Sequence, residues 1–207
     1  MYKSKEKSPM NEKQKEPRII RAQYNESTVR VYQAYNHTIA DQAIKTGNFG
    51  SAFKTERMTW IKPSFLWMMY RAGWGTKENQ ERILAIDITK TGFEEILSNA
   101  VLSSYHSDLY GTVENWKKKL TAAPVRCQWD PERDLYGNPL DKRSIQLGLS
   151  GIMVKKYISE YIVKITDITE QVHAWHQEIS LHKFNPEELP KETEYPVSDP
   201  IKKILRM

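Results

Sequence analysis

The stretch from Met58 to Trp74 constrains the fold of this chain more than any other. Three of the six tryptophans, Trp60, Trp67 and Trp74, fall here together with Phe65, Met68 and Met69. Each of these side chains buries a large apolar area, so the segment must supply part of a core. Lys62 and Arg71 stand among them, and a cation taken out of water needs a partner. Two readings follow. Either the segment walls an anion-binding cleft, entered through a Pro63-Ser64 turn, or it is a buried helix whose cations reach water along their apolar stems.

The rest of the chain decides what that core can join. Residues 29–35 alternate as a strand, with Val29, Val31, Gln33 and Tyr35 on one face and Arg30, Tyr32 and Ala34 on the other. Asn36 or His37 opens a helix that Gly47 or Asn48 ends. Residues 83–88 form a second strand, followed by a helix over 93–102, and an exposed helix covers 114–120. Strands are expected at 124–129, 144–149 and 161–168, with a turn at 135–140 and a helix from Thr169 to about Ile179. Strands and helices interleave without regular βαβ spacing. The fold class is therefore α+β: a single domain with a central bent mixed sheet flanked by helices.

Residues 1–17 are charged and nearly free of large apolar groups, which marks a flexible tail. Residues 18–185 form the globular domain, and residues 186–207, rich in Pro and Glu, an extension packed on the surface. At 207 residues the chain can bury about 70% of its unfolded surface without a metal or disulfide. The lone Cys127 has no internal partner, and no secretory signal pattern is present, so the expected compartment is the cytoplasm. No apolar run reaches the roughly 20 residues of a membrane span. The net charge of +5 is mild, since 26 acidic residues are interspersed with 31 basic ones. It suits an anionic ligand better than it argues for nucleic acid.

Familiar phosphate loops, dinucleotide fingerprints, zinc motifs and nucleophile elbows are absent. His173 and His176 share a helical face at metal-ligand spacing, but an ordinary amphipathic helix explains them, and no metal is expected. Two constellations remain. In Arg30 to His37, a strand arginine could fork a phosphate or carboxylate, and Tyr32 or Tyr35 could stack on a ring. The plain alternative is an arginine paired with an acid at the sheet edge. In Gln128 to Asp134, extending to Arg143 and Gln146, charges cluster at a strand end, where Glu132 or Asp130 could serve as a base. The alternative there is a salt-bridged loop.

The segments Arg30 to Tyr35, Trp60 to Met68 and Gln128 to Arg133 together resemble the family catalogued as domain of unknown function 4291, over about residues 18–185. A broader pattern, a strand arginine followed by a helix and a glycine, is similar to the opening of ADP-ribosyltransferase folds. That resemblance implies NAD as the substrate that donates ADP-ribose. Arg30 and Tyr32 would hold the dinucleotide, with Trp60 or Tyr70 stacking on nicotinamide. Lys62, Ser64 and Arg71 would lie on the same cofactor site, and Glu132 or Gln128 would orient the ribose. An acceptor could be nucleic acid. The rival expectation is a non-catalytic nucleic-acid-binding module that stacks bases on the same aromatics. It would contact backbone phosphates through Arg30, Lys62, Arg71, Arg126, Arg133 and Arg143.

Overall fold

Val29 and Val31 point to one side of their strand and Tyr32 to the other, and both sides are buried. A strand covered on both faces must lie between two packed layers, and the fold is organised around it. The structure is a computed structural model describing residues 17–207. The tail read at residues 1–17 lies outside the described residues, apart from Pro17.

In chain order the elements are β1 (Arg21–Ala22), β2 (Thr28–Tyr35), α1 (His37–Thr46), β3 (Thr59–Ile61) and α2 (Phe65–Ala72). Next come β4 (Arg82–Thr89), α3 (Lys90–Ser98), β5 (Ala100–Leu102), α4 (Ser107–Tyr110), α5 (Val113–Ala122) and β6 (Val125–Arg133). They are followed by β7 (Pro139–Leu149), α6 (Ile152–Lys156), a π-helical turn (Tyr157–Tyr161), β8 (Ile162–Asp167), α7 (Thr169–Ser180), β9 (Thr193–Glu194) and α8 (Asp199–Leu205).

This is the expected α+β class. One antiparallel sheet runs β2-β4-β8, and a mixed sheet runs β3-β7-β6-β5 with only β5 and β6 parallel. A short β1-β9 ribbon completes the set. A backbone bridge between Tyr32 and Lys62 links the two larger sheets, with Tyr32 N–H donating to the Lys62 carbonyl at 2.7 Å. The one central sheet expected from the sequence is divided into these three.

Local signals account for most boundaries. Asn36 caps α1 by accepting from Ile39 N–H, and Gly47 ends it at φ 73°. Ser64 caps α2 by accepting from Trp67 N–H at 3.3 Å, and Gly73 closes it in the left-handed region. Val29, Val31, Leu84, Ile86 and Ile88 face the main core, shared with Ile61, Val125, Leu147 and Leu149 of the mixed sheet. Tyr32, Ile83 and Ala85 face a second core built on Phe65, Met68 and Met69 of α2 and Val172 of α7. Among the described residues, no helix is long and apolar enough to cross a membrane.

Boundaries and burial differ from the sequence expectation in several places, with β7 starting at Pro139 inside the expected 135–140 turn. The helix expected at 93–102 starts at Lys90 and stops at Ser98, because the Asn99 side chain bonds back to the Glu95 carbonyl at 2.8 Å. Ala100–Leu102 then pairs as a strand with Val125–Cys127. The strand expected at 124–129 continues to Arg133. Pro131 is tolerated because β5 covers only the start of β6, leaving this end unpaired on one side, and the register shifts between Pro131 and Arg133. The extension at 186–207 does not merely lie on the surface. Tyr195 is 1% exposed, wedged edge-on between Tyr24 and Phe93, and Ile201 and Leu205 join the main core.

Candidate functional site

A cleft of about 1100 Å³ opens where the ends of β2 and β3 meet the middle of β6 and β7. Its floor is a chain of buried polar groups. The Gln33 amide donates to Thr59 Oγ1 at 2.8 Å and to the Trp60 carbonyl at 3.0 Å, and accepts from Tyr157 Oη–H at 2.8 Å. Tyr35 Oη and Thr59 Oγ1 share a hydrogen bond at 2.9 Å. Burial pushes both phenols up, so they stay neutral. Every member of this network has a partner, which holds the floor rigid.

One wall comes from strand pairing. Gln128 and Gln146 sit directly opposite each other on β6 and β7, and Asp130 lies two residues on, on the same face. Gln128 Nε2 donates to one Asp130 oxygen at 2.9 Å and Gln146 Nε2 to the other at 2.7 Å. Trp60 lies flat against β7 because residue 148 is glycine: a Cβ there would come within 2.9 Å of the indole and 2.7 Å of the Met58 sulfur.

Four cations line the cleft, Lys54, Arg57, Lys62 and Arg71, and no carboxylate does. None of the four has an ion-pair partner among the described residues. Lys62 is the deepest, at 6% exposure, with its ammonium 5.4 Å from the centre of the Trp67 ring. Its pKa is lowered to about 7, by burial first and by Arg71 second, with Asp130 acting in the opposite sense.

Of the residues expected on a cofactor or catalytic site, Trp60, Lys62, Arg71 and Gln128 line this cleft. Five do not. Arg30 turns its fork to Asp87, its cross-strand partner on β4, with Nε to Oδ1 at 2.8 Å and Nη2 to Oδ2 at 2.9 Å. Tyr32 packs edge-on against Phe65 inside the second core. Ser64 is spent on capping α2 and on donating to Glu132 Oε1 at 3.0 Å. Glu132, 6% exposed at the register shift of β6, accepts from Ser64 and from Arg133 N–H. Its carboxylate therefore secures the start of α2 and does not face the cleft. Tyr70 faces a separate hollow of about 380 Å³ and carries the Arg133 guanidinium 3.9 Å from its ring centre. His176 stacks parallel on Trp74 at 5.3 Å.

Lys54, Arg57, Gln33 and Glu192 were missed as site or near-site residues. The first two lie in an irregular loop with no periodicity to mark them. Glu192 sits in a Pro- and Glu-rich tail that composition reads as exposed. Its carboxylate accepts from Phe65 N–H at 2.6 Å, and burial, with Glu132 nearby, raises its pKa to about 8.

A family model described as a domain of unknown function, DUF4291, matches residues 19–195. The chain belongs to that family. The match takes in β2, the Trp-rich segment and the Gln128–Arg133 strand, so the whole cleft lies within the DUF4291 region. No curated protein matches the chain.

Proposed function

We propose that this DUF4291 protein binds a phosphorylated, ring-bearing small molecule of the nucleotide class in the cleft, NAD among the candidates. The observation that carries the reading is the charge of the lining: among the described residues, four cations without ion-pair partners and no carboxylate. Unpaired cations gathered around a concave surface favour a polyanion, and the electrostatic gain is larger where walls exclude water. Trp60 offers an indole face for a planar ring. The side-chain amides of Gln128 and Gln146 each keep a carbonyl oxygen and one N–H for polar contacts.

The ADP-ribosyl-transfer scheme has a narrower footing than its sequence pattern implies. Its two principal contacts, Arg30 and Glu132, are engaged by Asp87 and Ser64. A transfer from NAD in this cleft would depend on Lys62, Arg71 and Gln128, with Asp130 as the adjacent carboxylate. The nucleic-acid reading draws on six cations, of which Lys62 and Arg71 reach the cleft.

Thermal shift with NAD, ADP-ribose, ADP and pyrophosphate, each at two salt concentrations, tests the proposal. Saturable stabilisation by the nucleotides, weakened in Arg71→Ala, is the expected result. Stabilisation by short oligonucleotides alone, with a steep salt slope, would favour the nucleic-acid module. No response to any of them would remove the reading.

A further inference from the structure

Lys62 is held by its backbone on both sides. Its carbonyl accepts from Tyr32 N–H at 2.7 Å, and Pro63 and the Ser64 cap fix the chain that follows. The side chain is almost wholly buried, yet it lines the cleft. Its amine finds no hydrogen-bond acceptor and no carboxylate within ion-pair distance among the described residues. What it meets is the face of Trp67 and the positive charge of Arg71. The one carboxylate that favours its charged form, Asp130, already carries the amides of Gln128 and Gln146 on its two oxygens.

A lysine that serves only to bind anions gains from staying charged, which an exposed position such as those of Lys54, Arg57 and Arg71 favours and burial opposes. Desolvation next to a second cation is instead the setting that frees an amine lone pair at neutral pH. We propose that Lys62 is a nucleophilic amine that forms an imine with a phosphate-bearing carbonyl compound, whose phosphate is held by Lys54, Arg57 and Arg71. This rests on the anionic-cleft reading above. The Nζ lone pair adds to the carbonyl carbon while the C=O π electrons move to oxygen. The two amine protons leave with that oxygen as water when the C=N bond forms. The step consumes no oxidant or reductant. The lowering of the Lys62 pKa to about 7 supports it, because close to half of the amine is then unprotonated at neutral pH.

The test is borohydride trapping on the full chain, with pyridoxal 5′-phosphate as the probe and pyridoxal as its phosphate-free control, read by peptide mass mapping. The reduced adduct is expected on Lys62, with at least tenfold more from the phosphorylated probe at pH 7.5, and pyrophosphate should suppress it. Lys62→Arg should lose the adduct. Label spread over the exposed lysines, equal yield from both probes, or an unchanged yield in Lys62→Arg would overturn the imine. If pyrophosphate neither stabilises nor protects the protein, the cleft reading itself fails, and the two failures are distinguishable. Should Lys62→Arg not fold, the position of the wild-type adduct and its protection by pyrophosphate decide the matter.

Discussion

At the scale of single residues, the clearest contrast is between Arg30 and Lys62. Both are cations in apolar surroundings, and both are plausible anion contacts from sequence. Arg30 is satisfied: Asp87 fills its planar fork, and Gln23 Oε1 lies 3.3 Å from Nη1. Hydrogen bonding to Asp87 holds its pKa above the ordinary arginine value. Its role is therefore to join β2 to β4. Arg30→Ala should cost about 1–3 kcal/mol of stability by leaving a half-buried carboxylate unpaired. It should leave pyrophosphate binding unchanged. Denaturant melts checked against Asp87→Ala and the double variant should show a coupling, the double costing less than the sum of the singles. A loss of binding with intact stability would return Arg30 to the site.

At the scale of elements, caps and strand periodicity were legible because their causes are local. Asn36, Gly47, Ser64 and Gly73 end helices through their own backbones, and the alternation of residues 29–35 reports its two buried faces directly. Partners distant in sequence left no such mark. Nothing near Glu132 announces that it will bond Ser64, and nothing near Ala100–Leu102 announces pairing with β6. The Trp-rich segment is divided between a cleft lining and the core. Lys62 and Arg71 face the cleft, while Trp67, Met68 and Met69 are buried. The start of α2 also tests the tail. Glu192 sits on the first N–H of that helix, where the helix dipole favours its charge. Burial opposes the charge and wins, lifting the pKa from 4.5 to about 8. The folded protein thus binds the extra proton between those values, so stability falls as pH rises from about 4.5 through 8. Glu192→Gln keeps an acceptor for Phe65 N–H and removes the titration. Its melting temperature should match wild type near pH 5 and exceed it at pH 8.5, by on the order of 2 kcal/mol in stability. A gap that is constant with pH would mean that the tail does not bury this carboxylate.

At the scale of the whole molecule, a concave junction lies where two sheets are linked by a backbone bridge, and among the described residues its lining includes cations and amides but no carboxylate. A positive field that includes the buried Lys62 should make anion binding depend on pH. Lys62 is about half charged at pH 7 in the free protein, lowered by burial first and by Arg71 second. An anion in the cleft favours the charged form and raises that pKa, so the complex binds more protons than the free protein above pH 7. Affinity must therefore fall as pH rises from about 6 to 9, by up to tenfold per unit once Lys62 is neutral in the free protein and still charged in the complex. Lys54, Arg57 and Arg71 are exposed whereas Lys62 is buried, so the decline belongs to Lys62. Titration calorimetry with pyrophosphate at several pH values checks this. Lys62→Met should bind more weakly at pH 6 and show a nearly flat profile to pH 9. It should also gain stability at pH 7 relative to wild type, a gain that shrinks as pH rises through the unfolded value of 10.5, above which the wild-type chain no longer loses a proton on folding. A flat wild-type profile would mean that the anion sits with Arg57 and Arg71, away from Lys62.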